Sequence, residues 1–251
     1  MDKMKRLYLF LLSFCLLLPA FALTKEEADN LYKAEKYTEA AAAYEKLLSE
    51  DHISAALYYN LGNAYYKMDN IPLAVLNYER AYILEPGDGD IRANLTLARS
   101  KTIDKVTPPS EMFFVTWWHS LCNMMSSYAW AVVAVIFFAL MLIGVLLYMF
   151  AYQLTLRKVG AYGAMVLFVL VIIANICAYT QNQAFTERNS AIVTASAISV
   201  KSSPNDSSTD LFIMHAGSKV EILDATMKEW VEVKFEEGKQ GWVPKSTVEV
   251  I

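Results

Sequence analysis

A chain of 251 residues that is 55% apolar, with 22 basic against 26 acidic residues and a formal net charge of −4, is long enough for more than one domain. Its mild acidity without a basic stripe excludes a charge-driven grip on nucleic acid, and a mean hydropathy of +0.28 excludes a water-soluble composition throughout. The apolar excess is local, so the chain divides into parts.

Residues 1–22 place Lys3, Lys5 and Arg6 ahead of the apolar run LYLFLLSFCLLL, and Ala20-Phe21-Ala22 has the small-x-small form of a cleavage site. That order predicts a signal peptide, with the mature chain starting near Leu23. Cys15 lies inside the run behind the bulky Phe14, which argues against lipid attachment there.

From Tyr58 the pattern Tyr58, Leu61, Gly62, Tyr65, Ala74, Tyr78, Ala81, Pro86 sets small residues where two helices approach closely and aromatics where they fill the space between them. Asn70 and Pro72 open the second helix, and Pro86 cannot continue it. These offsets resemble the tetratricopeptide repeat of about 34 residues. A more divergent unit precedes it, with Ala28, Leu31, Ala40 and Tyr44 at matching offsets and Thr24 with Glu27 as a capping box. DIRANLTLARSKTIDKV, with Leu95 at the Leu61 offset, supplies a closing helix. The expectation is two repeats and a closing helix over 23–106.

Residues 107–127 form a linker and a short helix rich in Phe113, Phe114, Trp117, Trp118 and Met124. Aromatics favour the headgroup level of a membrane, and the same apolar face also suits docking of a protein. Two uncharged runs follow, 128–152 and 159–180, joined by 153–158. At about 1.5 Å per residue the first is about 36 Å long, enough to cross a hydrocarbon core of about 30 Å with some tilt. Arg157 and Lys158 between them keep that connector in the cytoplasm. Together with the signal peptide, this puts both flanking regions on the outer side of the cytoplasmic membrane. Gly160 and Ala164 form a small face for close packing, and Asn175 is available for a hydrogen bond across helices or a place near the outer boundary.

After a linker at 181–189, residues 190–251 turn to alternation: AIVTA, ISVKS, KVEIL, EWVEVKF and GWVPKSTVEVI. Val231, Val233 and Phe235 oppose Trp230, Glu232 and Lys234, and Glu237-Gly238 suits a hairpin turn. Five short strands suit a small closed barrel. The order of segments and Gly241-Trp242-Val243 resemble a bacterial SH3 domain. Trp230 and Trp242 are candidates for ligand stacking, with packing in the core the favoured role for Trp242. KSSPNDSSTD lacks the aromatics of a groove for proline helices.

The fold class expected is a multidomain membrane protein: an all-α tetratricopeptide solenoid, a two-helix transmembrane hairpin and a small all-β SH3-like barrel. In this order the parts resemble the BatE-like proteins of the Bacteroides aerotolerance operon. The resemblance implies a membrane-anchored adaptor beside membrane proteins with von Willebrand factor A domains and a MoxR-type ATPase, linked to oxygen tolerance or envelope stress.

No catalytic constellation is legible. His52, His119 and His215 are isolated from one another, phosphate-loop and nucleophile-elbow motifs are missing, and the cysteines form no CxxC pair or disulfide framework. No enzyme, cofactor or metal is expected. Function then falls on surfaces, and the offsets nominate Lys25, Asp29, Tyr32, Tyr59, Asn60, Asn63, Tyr66 and Lys67 for a protein partner on the concave face. Asn60 and Asn63 are also common choices of the repeat itself. Asp29, Asp90 and Asn94 stand where a carboxylate-clamping relative has Asn, Lys and Arg, which argues against capture of a C-terminal carboxylate. The alternative to an adaptor is an envelope sensor or cell-wall binder that touches peptidoglycan through the SH3-like part.

Overall fold

The computed structural model describes residues 24–50, 52–105, 112–187, 189–235 and 238–251. The signal peptide expected at residues 1–22, including Cys15, lies outside the described residues.

Among the described residues, five helices come first: α1 Lys25–Lys33, α2 Tyr37–Ser49, α3 Ala55–Lys67, α4 Ile71–Leu84 and α5 Gly89–Ser100. Their starts follow the local chemistry. Thr24 and Glu27 form a reciprocal capping box on α1, Ser54 caps α3, Asn70 caps α4 with Pro72 in its first turn, and Asp88 caps α5. The helices pack as antiparallel neighbours around Ala28, Ala40, Tyr44, Leu61 and Ala64 and then Ala74, Leu76, Tyr78, Leu95 and Ala98. Gly62 is required by this packing, because a Cβ there would stand 2.7 Å from the Tyr78 ring.

Three further helices follow: α6 Phe113–Cys122, α7 Ser127–Phe150 and α8 Leu154–Glu187. Both α7 and α8 are long and apolar enough to cross a membrane. They form a hairpin in which a Cβ on Gly160 would meet the Gly144 carbonyl oxygen at 2.6 Å and a Cβ on Gly144 would meet Ala164. Arg157 and Lys158 fall in the first turns of α8 rather than in a loop. The helix also runs on past the uncharged segment to Glu187. Asn175 does not reach across the hairpin. It is exposed, and its amide donates back to the Val171 carbonyl at 2.8 Å.

Seven strands follow among the described residues: β1 Ser190–Val193, β2 Ala197–Lys201, β3 Asp210–His215, β4 Lys219–Asp224, β5 Trp230–Lys234, β6 Gln240–Pro244 and β7 Val248–Val250. They make one antiparallel sheet in the order β3-β2-β6-β5-β4-β1-β7. It curls around Ala191, Val193, Ile198, Val200, Met214, Val220, Val231, Val233 and Val243. The five expected strands become seven for two reasons. The uniformly apolar Leu211–Met214 run forms a strand of its own, and a 3-10 turn at Lys245–Thr247 divides the last segment. The ladder is open, with β3 and β7 as its ends, where closure was expected.

The helical array and the sheet are packed together. Ile192 and Ile251 join the cluster of Leu76, Val75 and Tyr78, which places the sheet on the outer side of α4 and leaves the α1, α3, α5 side open.

Candidate functional site

The open side of the array is a row of α1, α3 and α5 joined by polar side chains. Asp29 on α1 accepts from Lys25 Nζ at 2.7 Å, from the Tyr44 hydroxyl at 2.6 Å and from Asn60 Nδ2 at 3.0 Å. Burial works to raise the Asp29 pKa, but Lys25, Tyr44 and Asn60 outweigh it and hold the carboxyl below its usual range. The Tyr44 phenol is pushed up, by burial first and then by Asp29. One turn along α3, Asn63 Oδ1 accepts from the Tyr78 hydroxyl at 2.7 Å and from Asn94 Nδ2 at 2.9 Å. Asn94 Nδ2 also lies 3.0 Å from the Tyr59 hydroxyl oxygen.

Asp29, Tyr32, Lys33, Tyr44, Asn60 and Asn63 line a cavity of about 280 Å³. Of the residues nominated from the sequence, Asp29, Tyr32, Asn60 and Asn63 meet at this cavity, and Lys25 adjoins it through Asp29. Tyr59 and Tyr66 are half-buried instead of forming an open aromatic face. Tyr59 leans on Tyr78 with ring centroids 6.0 Å apart, and Lys101 sits 4.3 Å above the Tyr66 ring. Lys67 is exposed at the end of α3. Lys33, Tyr44 and Asn94 were not nominated. Tyr44 lies on the second helix of its pair and enters by packing, which an offset rule for first helices does not register.

The amide groups are oriented by their partners. A carboxylate only accepts, so Asn60 presents its NH₂ to Asp29; a hydroxyl and an amide both donate to Asn63, so its oxygen is consumed. Among the described residues, Asn60 Oδ1 and Asn63 Nδ2 have no partner. The α3 face therefore offers one acceptor and one donor three residues apart, beside two tyrosines.

On the other side of the array, two clusters fasten the sheet. Glu79 on α4 is buried and is shared between Arg99 on α5 and Lys219 on β4, the latter at 3.0 Å. Burial works to raise its pKa, and Lys219 and Arg99 reverse that and lower it. Asp104, just past α5, receives the His215 backbone N–H at 2.8 Å, the His215 ring Nδ1 at 2.9 Å and the Ser218 hydroxyl at 2.6 Å. Burial opposes ionisation of Asp104 too, and Ser218 and His215 overcome it. This Ser, His and Asp grouping is a latch. The hydroxyl faces the carboxylate and the His215 carbonyl, whereas nucleophile activation needs it on the imidazole. Gly217, at φ +88°, lets the turn press on Thr102, where a Cβ would stand 2.6 Å from Thr102 Cγ2.

Trp242 lies outside the core, contrary to expectation. It alternates with buried Gly241 and Val243 on β6 and is half-exposed on the outer face, where it is paired across strands with Glu232 and Lys201. Its inward neighbours leave no room for an indole, since even a Cβ on Gly241 would meet Val200 Cγ1 at 2.6 Å. Trp230 is half-exposed on the same face.

The cysteines also depart from expectation. Cys122 at the end of α6 and Cys177 on α8 form a disulfide across 55 residues, with Cα atoms 4.8 Å apart. No spacing rule reveals this pair, because it arises only when α6 folds back onto the end of α8.

The family model for the bacterial SH3 domain matches residues 196–249, which covers β2 to most of β7 and leaves β1 outside. No curated protein and no solved structure matches the chain. The sheet thus carries a bacterial SH3 domain, preceded by a helical part with two candidate membrane-crossing helices.

Proposed function

We propose that this chain is a membrane-anchored adaptor whose helical array, a short tetratricopeptide array of two repeats and a closing helix, holds a protein partner in the α1, α3, α5 groove. The observation that carries this reading is the pair of unpartnered amide atoms on α3. Asn60 Oδ1 and Asn63 Nδ2 match the N–H and C=O of an extended peptide, beside a cavity sized for one side chain. Asp29 at the floor of that cavity disfavours a partner's carboxylate. In this reading α7 and α8 span the cytoplasmic membrane, with Arg157 and Lys158 inside and both folded parts outside. The order of parts supports kinship with BatE-like proteins, so a membrane protein with a von Willebrand factor A domain is the partner class, and oxygen tolerance or envelope stress the setting.

The experiment is in-cell crosslinking of the full chain, followed by purification in mild detergent. Tyr32→Ala with Asn60→Ala should insert and accumulate normally and lose the crosslinked partner. Retention of that partner by this variant would refute the groove as the docking site.

One observation favours a second surface. The half-exposed Trp230 and Trp242 on the outer face of a bacterial SH3 domain suit contact with cell-wall glycan or peptide. Purified cell wall should then sediment the protein, and Trp242→Ala should abolish sedimentation while leaving the crosslinked partner in place.

A further inference from the structure

The turn after α6 is where three parts of the molecule meet. Cys122 is bonded to Cys177 of α8, and its carbonyl accepts from the Trp130 indole N–H of α7 at 2.9 Å. Asn123 Oδ1 accepts from Gln181 Nε2 of α8 at 2.6 Å. Met124 touches the helical array, since a Cβ on Gly87 would stand 2.2 Å from the Met124 carbonyl oxygen. The array therefore rests on a turn whose every residue from 122 to 124 is tied to something, and only one of those ties is covalent.

The sulfurs are enclosed. Cys122 and Cys177 are 3% and 0% exposed and pack with Trp130, Ala134 and Ala174, so a soluble reductant has no path to the bond in the folded protein. Disulfides also form on the oxidising side of a membrane and not in the cytoplasm.

We propose that the Cys122–Cys177 disulfide is a covalent lock, closed by exchange on the outer side of the membrane, that fixes the seat of the helical array on the outer end of the α7 and α8 hairpin. One cysteine thiolate attacks the S–S bond of a protein disulfide donor, forming a mixed disulfide and releasing one donor thiol. The second thiolate then displaces the other donor sulfur. The chain gives up two protons and two electrons, and the donor leaves as a dithiol. Packing against Trp130 then shields the product, which makes it a single-use fastener and not a cycling switch. The inference rests on the spanning reading of α7 and α8 and is independent of what the groove binds.

The test uses the full chain carrying Cys15→Ser, purified in mild detergent and tagged with a maleimide polymer after denaturation. Neither cysteine should tag without reductant, and both should tag when reductant is added after unfolding. Reductant added to the folded protein should act at least tenfold more slowly. Tagging of both cysteines without any reduction would overturn the proposal. Alkaline extraction of membranes reports on spanning separately, so loss of that reading is distinguishable. For the seating role, amide exchange is followed over residues 113–125 and around Gly87 in Cys122→Ser with Cys177→Ser, or in reduced wild type should that variant not fold. At least tenfold faster exchange there is expected, with 24–50 unchanged. Unaltered exchange over 113–125 would overturn the lock.

Discussion

Glu79 and Lys219, 140 residues apart in sequence, meet at 3.0 Å between Oε2 and Nζ, and the carboxylate that links them is almost wholly enclosed. With Oε1 given to Arg99, one acidic side chain joins the last helix of the array, the helix before it and the bacterial SH3 domain. A carboxylate removed from water is tolerable only while both cations stay, so the two domains have a common stake in that pair.

Lys219→Met should therefore cost about 1–3 kcal/mol of stability, because it leaves half of a buried carboxylate without a donor. Lys234→Met offers the control. Its partner Glu221 is exposed at a similar distance, and loss of such a pair costs about 0–1 kcal/mol. Denaturant unfolding of the full chain in detergent separates the two, and equal losses would argue against the shared anchor.

Removal of residues 190–251 should do more than free the array. It uncovers Leu76 and Val75 and strips Lys219, His215 and Ser218 from Glu79 and Asp104. The truncated chain is expected to melt at least several degrees lower, a shift that follows from a loss of about 1–3 kcal/mol in a domain of this size. An unchanged melting temperature of the array would mean that the two domains merely touch.

Acidification should loosen the same contacts. Asp29, Glu79 and Asp104 are all held below the usual carboxylate range in the folded chain. A depressed pKa contributes stability that is complete above the unfolded value of about 4 and is lost as pH falls through the folded one. Thermal unfolding should thus be nearly flat from about pH 7 to 5 and decline below about 4. Asp104→Asn should flatten part of that decline, and a melting temperature that rises on acidification would contradict the assignment.

Gly62→Ala tests the helix packing. The added methyl would meet the Tyr78 ring at 2.7 Å, and that ring is buried and tied through its hydroxyl to Asn63. A loss of about 1–3 kcal/mol is expected. Gly89→Ala, where nothing lies within 4 Å, should be close to neutral in the same measurement.

What was readable in the sequence was local. Thr24 with Glu27, Asn70 with Pro72, and Gly62 beneath Tyr78 each express a rule that operates within a turn or between adjacent helices. Leu95, picked out by its offset, is buried between helices. The groove was partly legible, since Asp29, Asn60 and Asn63 follow a helical offset, but Tyr44 and Asn94 join through packing between helices. Strand β3 was missed because Leu211 to Met214 lacks alternation and follows a polar, turn-forming stretch. Cys122 with Cys177, Glu79 with Lys219 and Asp104 with His215 are closures between distant segments, and periodicity carries no information about such pairs.

Helix α8 runs unbroken for 34 residues and is followed by β1 after two more residues, Arg188 and Asn189. At about 1.5 Å per residue it is a rod of about 50 Å, longer than the hydrocarbon core of a bilayer, which is about 30 Å thick. Such a rod converts angle into distance: a change of about 10° in its tilt moves its far end by about 9 Å. Because the sheet follows that end and the array is fastened to the sheet, a change in the tilt of α8 would, under the spanning reading proposed above, carry the array and the sheet together as one lever arm.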